Sequence, residues 1–76
     1  MIIKTSTLKV EVNSIEDVLN NTLRTPVSDN LAKQFGFNKK DCSIWNGNLF
    51  VNNHNNTIFV FDFFTKERQF YDFNVA

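Results

Sequence analysis

The sequence predicts an α+β domain: an N-terminal strand, two or three short helices with a tight turn between them, and an antiparallel C-terminal β-meander. Three observations carry this. Residues 2–12 alternate in polarity, residues 13–36 hold two capped stretches with apolar residues at helical spacing, and residues 49–75 are rich in aromatic and β-branched residues broken by polar turns. With 76 residues and 8.9 kDa there is room for one small domain, residues 1–76, and no second core.

In residues 2–12, Ile2, Ser6, Leu8, Val10 and Val12 fall on one side, and Thr5, Thr7, Lys9 and Glu11 on the other, the period of a half-buried strand. Asn13 and Ser14 each precede an acidic residue by three positions (Glu16 and Asp17), so either can cap a helix. Ile15, Val18, Leu19 and Leu23 form its apolar stripe, and Pro26 ends it at or before Thr25. Ser28 caps a second helix, with Asp29 in its first turn and Leu31, Ala32 and Phe35 on its inner side. Gly36 closes that helix in the left-handed conformation, and Phe37 can fold back on Leu31.

Residues 38–48 admit two readings. Asn46-Gly47 is a strong hairpin signal, which would put Cys42, Ile44, Leu49 and Val51 on one side of a ribbon. Alternatively Asn38 caps a third helix, Asp41 completes the capping box, Asn46-Gly47 stops it, and Cys42 and Trp45 face inward together. The helix is the favoured reading, because the Ala32–Gly36 pair and the Asn38 cap agree with it. Further on, residues 52–56 make an Asn-rich turn around His54. Residues 57–64 form a strand apolar on both faces, with Phe59, Phe61 and Phe63 on one and Ile58, Val60 and Phe64 on the other. Residues 65–68 turn the chain, and Phe70, Tyr71 and Phe73 return with it.

Eight basic and eight acidic residues cancel, which excludes binding driven by net charge alone. Apolar runs do not exceed four residues, so no bilayer span or signal-peptide core is expected, and a cytoplasmic protein is the default. A lone cysteine rules out an internal disulfide framework. Nine Phe, with Trp45 and Tyr71, supply bulky packing material, either for a monomer with a Phe-rich core or for a homodimer that shares aromatic residues. Thirty-two residues are Phe, Ile, Asn or Lys and only seven are Gly, Ala, Arg or Pro. That bias suits an AT-rich gene, as in a low-GC bacterium, its phages or its mobile elements.

Around Gly36 the spacing resembles the helix-turn-helix of Cro and the phage repressors. In that family a small residue precedes the turn Gly by four positions, and apolar residues sit five and one before it and one, six and nine after it. Here those positions are Ala32, Leu31, Phe35, Phe37, Cys42 and Trp45. The resemblance covers residues 28–47 and implies close helix crossing at Ala32 around a miniature apolar core. It departs from the family in its longer first strand and an additional Phe-rich C-terminal strand. Carried over by position, Asn38 opens a recognition helix from which Lys39, Lys40, Ser43 and Ile44 project towards a major groove. Arg24, Lys33, Lys39 and Lys40 would then contact phosphates. Residues 24–48 carry a net charge of +2, which fits this reading, although an ordinary solvated lysine face gives the same sum.

Catalytic and metal chemistry find little support. Cys42 and His54 are the one nucleophile–base pair available, and Cys42 sits at an apolar position while His54 lies in a polar turn. The acidic residues lack metal-ligand spacing, neither glycine belongs to a phosphate loop, and no cofactor is implied. Two functions remain. One is a Cro-like regulator of double-stranded DNA, dimeric through C-terminal aromatic strands. The other is a non-enzymatic protein-binding inhibitor or adaptor, such as a phage anti-defence protein of the anti-CRISPR type acting on a host protein. Phe59, Phe61, Phe63, Phe70, Tyr71 and Phe73 are the expected dimer or partner interface.

Overall fold

A computed structural model describes residues 1–20 and 25–74, and its elements correct the predicted fold class. The domain is mostly sheet, with seven strands in two antiparallel sheets and only one helix of seven residues among the described residues. In chain order the elements are β1 (Ile2–Lys4), β2 (Lys9–Glu11), α1 (Ile15–Leu19), β3 (Thr25–Pro26), α2 (Asp29–Phe35), β4 (Cys42–Trp45), β5 (Asn48–Asn52), β6 (Thr57–Asp62) and β7 (Arg68–Asp72). A single 3₁₀ turn, Lys39–Asp41, leads into β4.

The first prediction to change is the single N-terminal strand. Thr5 N donates to Leu8 O, folding residues 2–11 into a hairpin in which Ile3 faces Val10. Folding back resets which residues point inward. Ile3 is wholly buried and Ile2 is half-exposed, although the straight alternation placed Ile2 on the apolar side. Ser14 does cap α1: its hydroxyl accepts from Asp17 N, and the Asp17 carboxylate accepts from Asn13 N at 2.7 Å. The helix is five residues long, with Ile15 and Val18 buried and Leu19 38% exposed. Leu23, the last member of the predicted stripe, lies outside the described residues, as does Arg24.

α2 forms as its residues dictate. The Ser28 hydroxyl accepts from Leu31 N, Gly36 takes φ 75°, and Gly36 N and Phe37 N donate to Lys33 O and Ala32 O. This paired closure satisfies the last carbonyls of the helix. The third helix is absent. Asn38 caps only the 3₁₀ turn, and the chain then enters a hairpin in which Cys42 faces Val51 and Ile44 faces Leu49 across Asn46-Gly47. Both turn residues have positive φ, 50° and 75°, the two-residue geometry that matches strand twist. A strand also places Cys42 and Trp45 on opposite faces, whereas a helix would have put them together.

The five-stranded sheet runs β3-β4-β5-β6-β7 and separates two apolar clusters. On one face the β1–β2 hairpin and α1 bring Ile3, Leu8, Val12, Ile15 and Val18 onto Trp45, Phe50, Ile58 and Val60. On the other, α2 brings Ala32, Leu31 and Phe35 onto Cys42, Leu49, Val51, Phe59 and Phe61. β6 is therefore buried on both faces, as its double apolar pattern requires. Each wholly buried large side chain, such as Phe50, contributes about 1.5–3 kcal/mol of transfer free energy.

Candidate functional site

The residues predicted to read DNA do not lie on one helix. Lys33 is exposed on α2, while Asn38, Lys39 and Lys40 belong to the 3₁₀ turn and its cap. Lys39 Nζ lies 3.0 Å from the Asp29 carboxylate. Asn38, Lys39, Lys40 and Ser43 do come together along an open groove of about 560 Å³, with Leu19, Pro26 and Cys42. Lys33 and Ile44 do not line it. Ile44, expected to project towards a thymine methyl, packs half-buried against the α2-side cluster, because alternation in β4 sends it to the same face as Cys42.

Cys42 and His54 are not aimed at one another. The buried Cys42 thiol donates to Asn38 O at 3.4 Å, and burial, followed by the nearby Asp41 charge, pushes its pKa up. A thiol raised this way is a poor nucleophile at neutral pH. The imidazole of His54 instead meets Asp41 Oδ1 at 2.6 Å, on the surface. Among the described residues no cluster of three His, Cys, Asp or Glu could hold a metal ion.

The aromatic set expected at an interface divides. Phe59 and Phe61 are core, and Phe63, Tyr71 and Phe73 are half-buried. The Tyr71 hydroxyl is engaged by Lys4, accepting from its N–H at 2.9 Å and donating to its carbonyl at 3.0 Å. Phe70 alone of the six is open, 73% exposed. Phe64, assigned to the buried side with Ile58 and Val60, is 74% exposed. The strand ends at Asp62, so the alternation stops before Phe64 is reached.

What turns Phe64 outward is a buried carboxylate. Asp62 is fully enclosed, and its Oδ1 accepts from Phe64 N at 2.8 Å and Thr65 N at 3.2 Å, while Oδ2 accepts from the Thr7 hydroxyl at 2.9 Å. Asn48, also fully buried, donates to Thr7 Oγ1 and to Asn46 O and accepts from the Thr5 hydroxyl. Asn46 donates to Thr7 O at 2.6 Å, and Phe63 N donates to Gly47 O at 3.1 Å. Three turns, residues 5–8, 46–47 and 63–66, are thereby tied together at one end of the sheet. Burial pushes the Asp62 pKa up, but the hydrogen bonds from Phe64 N, the Thr7 hydroxyl and Thr65 N outweigh it and hold the carboxyl below its ordinary value. Such a fully bonded polar group fixes geometry where a partly satisfied one would not.

The Phe64 ring is placed by Gly47. A Cβ at residue 47 would collide with Phe64 Cε2, so the ring rests in the space that the missing side chain leaves. Asp62 carried a signal that sequence reasoning passed over: an Asp immediately before a turn is a habitual acceptor for the backbone N–H two residues on. Phe64 carried none, since its exposure depends on where β6 stops. No family model, curated protein or solved structure matches the chain.

Proposed function

We propose that this chain is a non-enzymatic protein-binding module, an inhibitor or adaptor that acts by contact with a partner protein inside the cell, as phage anti-defence proteins do. One observation carries the reading: Phe64, about three-quarters exposed, stands on a turn whose backbone is bonded to a buried carboxylate and whose ring is seated over Gly47. An exposed aromatic that is already ordered loses little freedom on binding and suits the centre of an interface. The regulator reading relied on a recognition helix from Asn38 onward, and that stretch is a short turn and a hairpin. No helix among the described residues is long and apolar enough to cross a membrane.

The test is affinity capture from a low-GC bacterial lysate with the tagged full chain and with Phe64→Ala. A partner held stoichiometrically by the wild type and lost by a variant of unchanged circular dichroism and melting supports the reading. Equal capture by both chains, or none by either, overturns it. A double-stranded DNA titration run alongside addresses the other function. A sequence-selective complex that Lys39→Ala and Lys40→Ala weaken would favour the regulator instead.

A further inference from the structure

β7 ends one side of the five-stranded sheet, and its ladder with β6 decides which way its backbone groups point. Asp62 N donates to Glu67 O and Phe73 N to Asn56 O, in a register that sets Phe59 against Phe70 and Ile58 against Tyr71. Residues that exchange bonds alternate along an antiparallel ladder. Glu67, Gln69, Tyr71 and Phe73 therefore turn their N–H and C=O groups towards β6, and Arg68, Phe70 and Asp72 turn theirs outward. Among the described residues no strand pairs with that outer side, and all three residues are exposed.

The side chains of these three share the α2-side face of the sheet. The Phe70 ring centroid is 5.1 Å from that of Phe59, and the Arg68 guanidinium lies 5.5 Å from the Phe61 centroid. Across the edge the order is cation, aromatic, anion, with Phe70 at its centre, so the strand is complementary in charge to its own reversed copy.

We propose that β7 is a self-association edge at which a second copy of this chain pairs antiparallel about a two-fold axis that passes between Phe70 and its counterpart. Arg68 then lies opposite the second copy's Asp72, Phe70 opposite its own counterpart, and Asp72 opposite the second copy's Arg68. Every one of these pairs is of the bond-exchanging kind, so the outward backbone groups are satisfied together. The Phe59–Phe70 contact becomes a row of four rings continuous across both sheets. Parallel pairing would bring like charges near one another, and sliding the register by two residues would set Phe70 against Asp72. The two charges thus select a single arrangement. This goes beyond the Phe64 contact and does not depend on it, since Phe64 stands on the turn before β7 and its backbone is bound within the chain.

Sedimentation velocity of the full chain, from low micromolar to millimolar, tests the pairing. The wild type is expected to pass to twice its 8.9 kDa mass with rising concentration. Arg68→Asp places Asp against Asp, Asp72→Arg places Arg against Arg, and each alone is expected to stay monomeric. Their equimolar mixture restores both opposite pairs and with them the dimer, and so does the double variant R68D/D72R on one chain. A wild type that remains monomeric, single variants that still dimerise, or a mixture and double variant that both remain monomeric would overturn it. Circular dichroism shows that each chain is folded, and the double variant provides the test should one single variant fail to fold. A monomeric chain that still captures its partner through Phe64 would sink this inference alone.

Discussion

The two ends of the five-stranded sheet each present a carboxylate with a donor against it, yet they are built differently. At the end where residues 5–8, 46–47 and 63–66 converge, Asp62 and Asn48 have no exposed surface and their polar atoms are met from several elements. At the other end Asp41, with its side chain 18% exposed, meets His54, 64% exposed, while Asn74 donates to Asn55 O and accepts from Asn56 Nδ2 on the surface. Water competes at the second end and is shut out of the first. A lost partner at the enclosed end leaves an orphaned polar group, whereas at the exposed end solvent replaces it. The enclosed end is also the one that displays Phe64.

Asp62→Ala is expected to be the most damaging of the changes that probe this contrast. It releases Phe64 N, Thr65 N and the Thr7 hydroxyl at once, and the urea midpoint should fall further than for either of the variants below. The same residue sets a pH dependence of definite sign. Its folded-state pKa lies below the ordinary 3.8, so its stabilisation is complete above that value and is lost as pH falls through it towards the folded-state pKa. Urea midpoints of the wild type should drop with acid in that window, and the Asp62→Ala profile should be flatter there.

Gly47→Ala comes next, at about 1–2 kcal/mol, because an L-residue is strained at φ 75°. Its new methyl also pushes the Phe64 ring aside, so partner capture should fall along with the melting temperature. At the exposed end, His54→Ala should shift stability by no more than about 0.5 kcal/mol, the usual worth of a surface pair. A loss there as large as that for Asp62→Ala would erase the distinction between the two ends.

How much of this was legible depends on how local each decision is. α2 was readable because Ser28, the Leu31–Ala32–Phe35 face and Gly36 settle it within one stretch of chain. The burial of β6 on both faces was readable from its double alternation. Residues 38–48 were not, since Asn38 and Asn46-Gly47 serve a helix and a hairpin equally well in isolation. The choice falls to pairing with β5, itself held by β6, which is worth more than one capped turn. The helix-turn-helix spacing fits for a related reason: Leu31, Ala32, Phe35, Phe37 and Cys42 do share one apolar cluster, while Trp45 lies across the sheet.

By itself the sequence determined the capped helix ending at Gly36 and the Phe-rich strands of the C-terminal half. Tertiary structure alone decided that residues 2–11 double back, that 42–52 is a hairpin, that Asp62 is buried, and that Phe64 and Phe70 face outward. The physical reason is range. Caps and periodicity act over a turn or two of chain, while ladder pairing, enclosure of a carboxylate and the point at which a strand ends depend on partners brought from dozens of residues away.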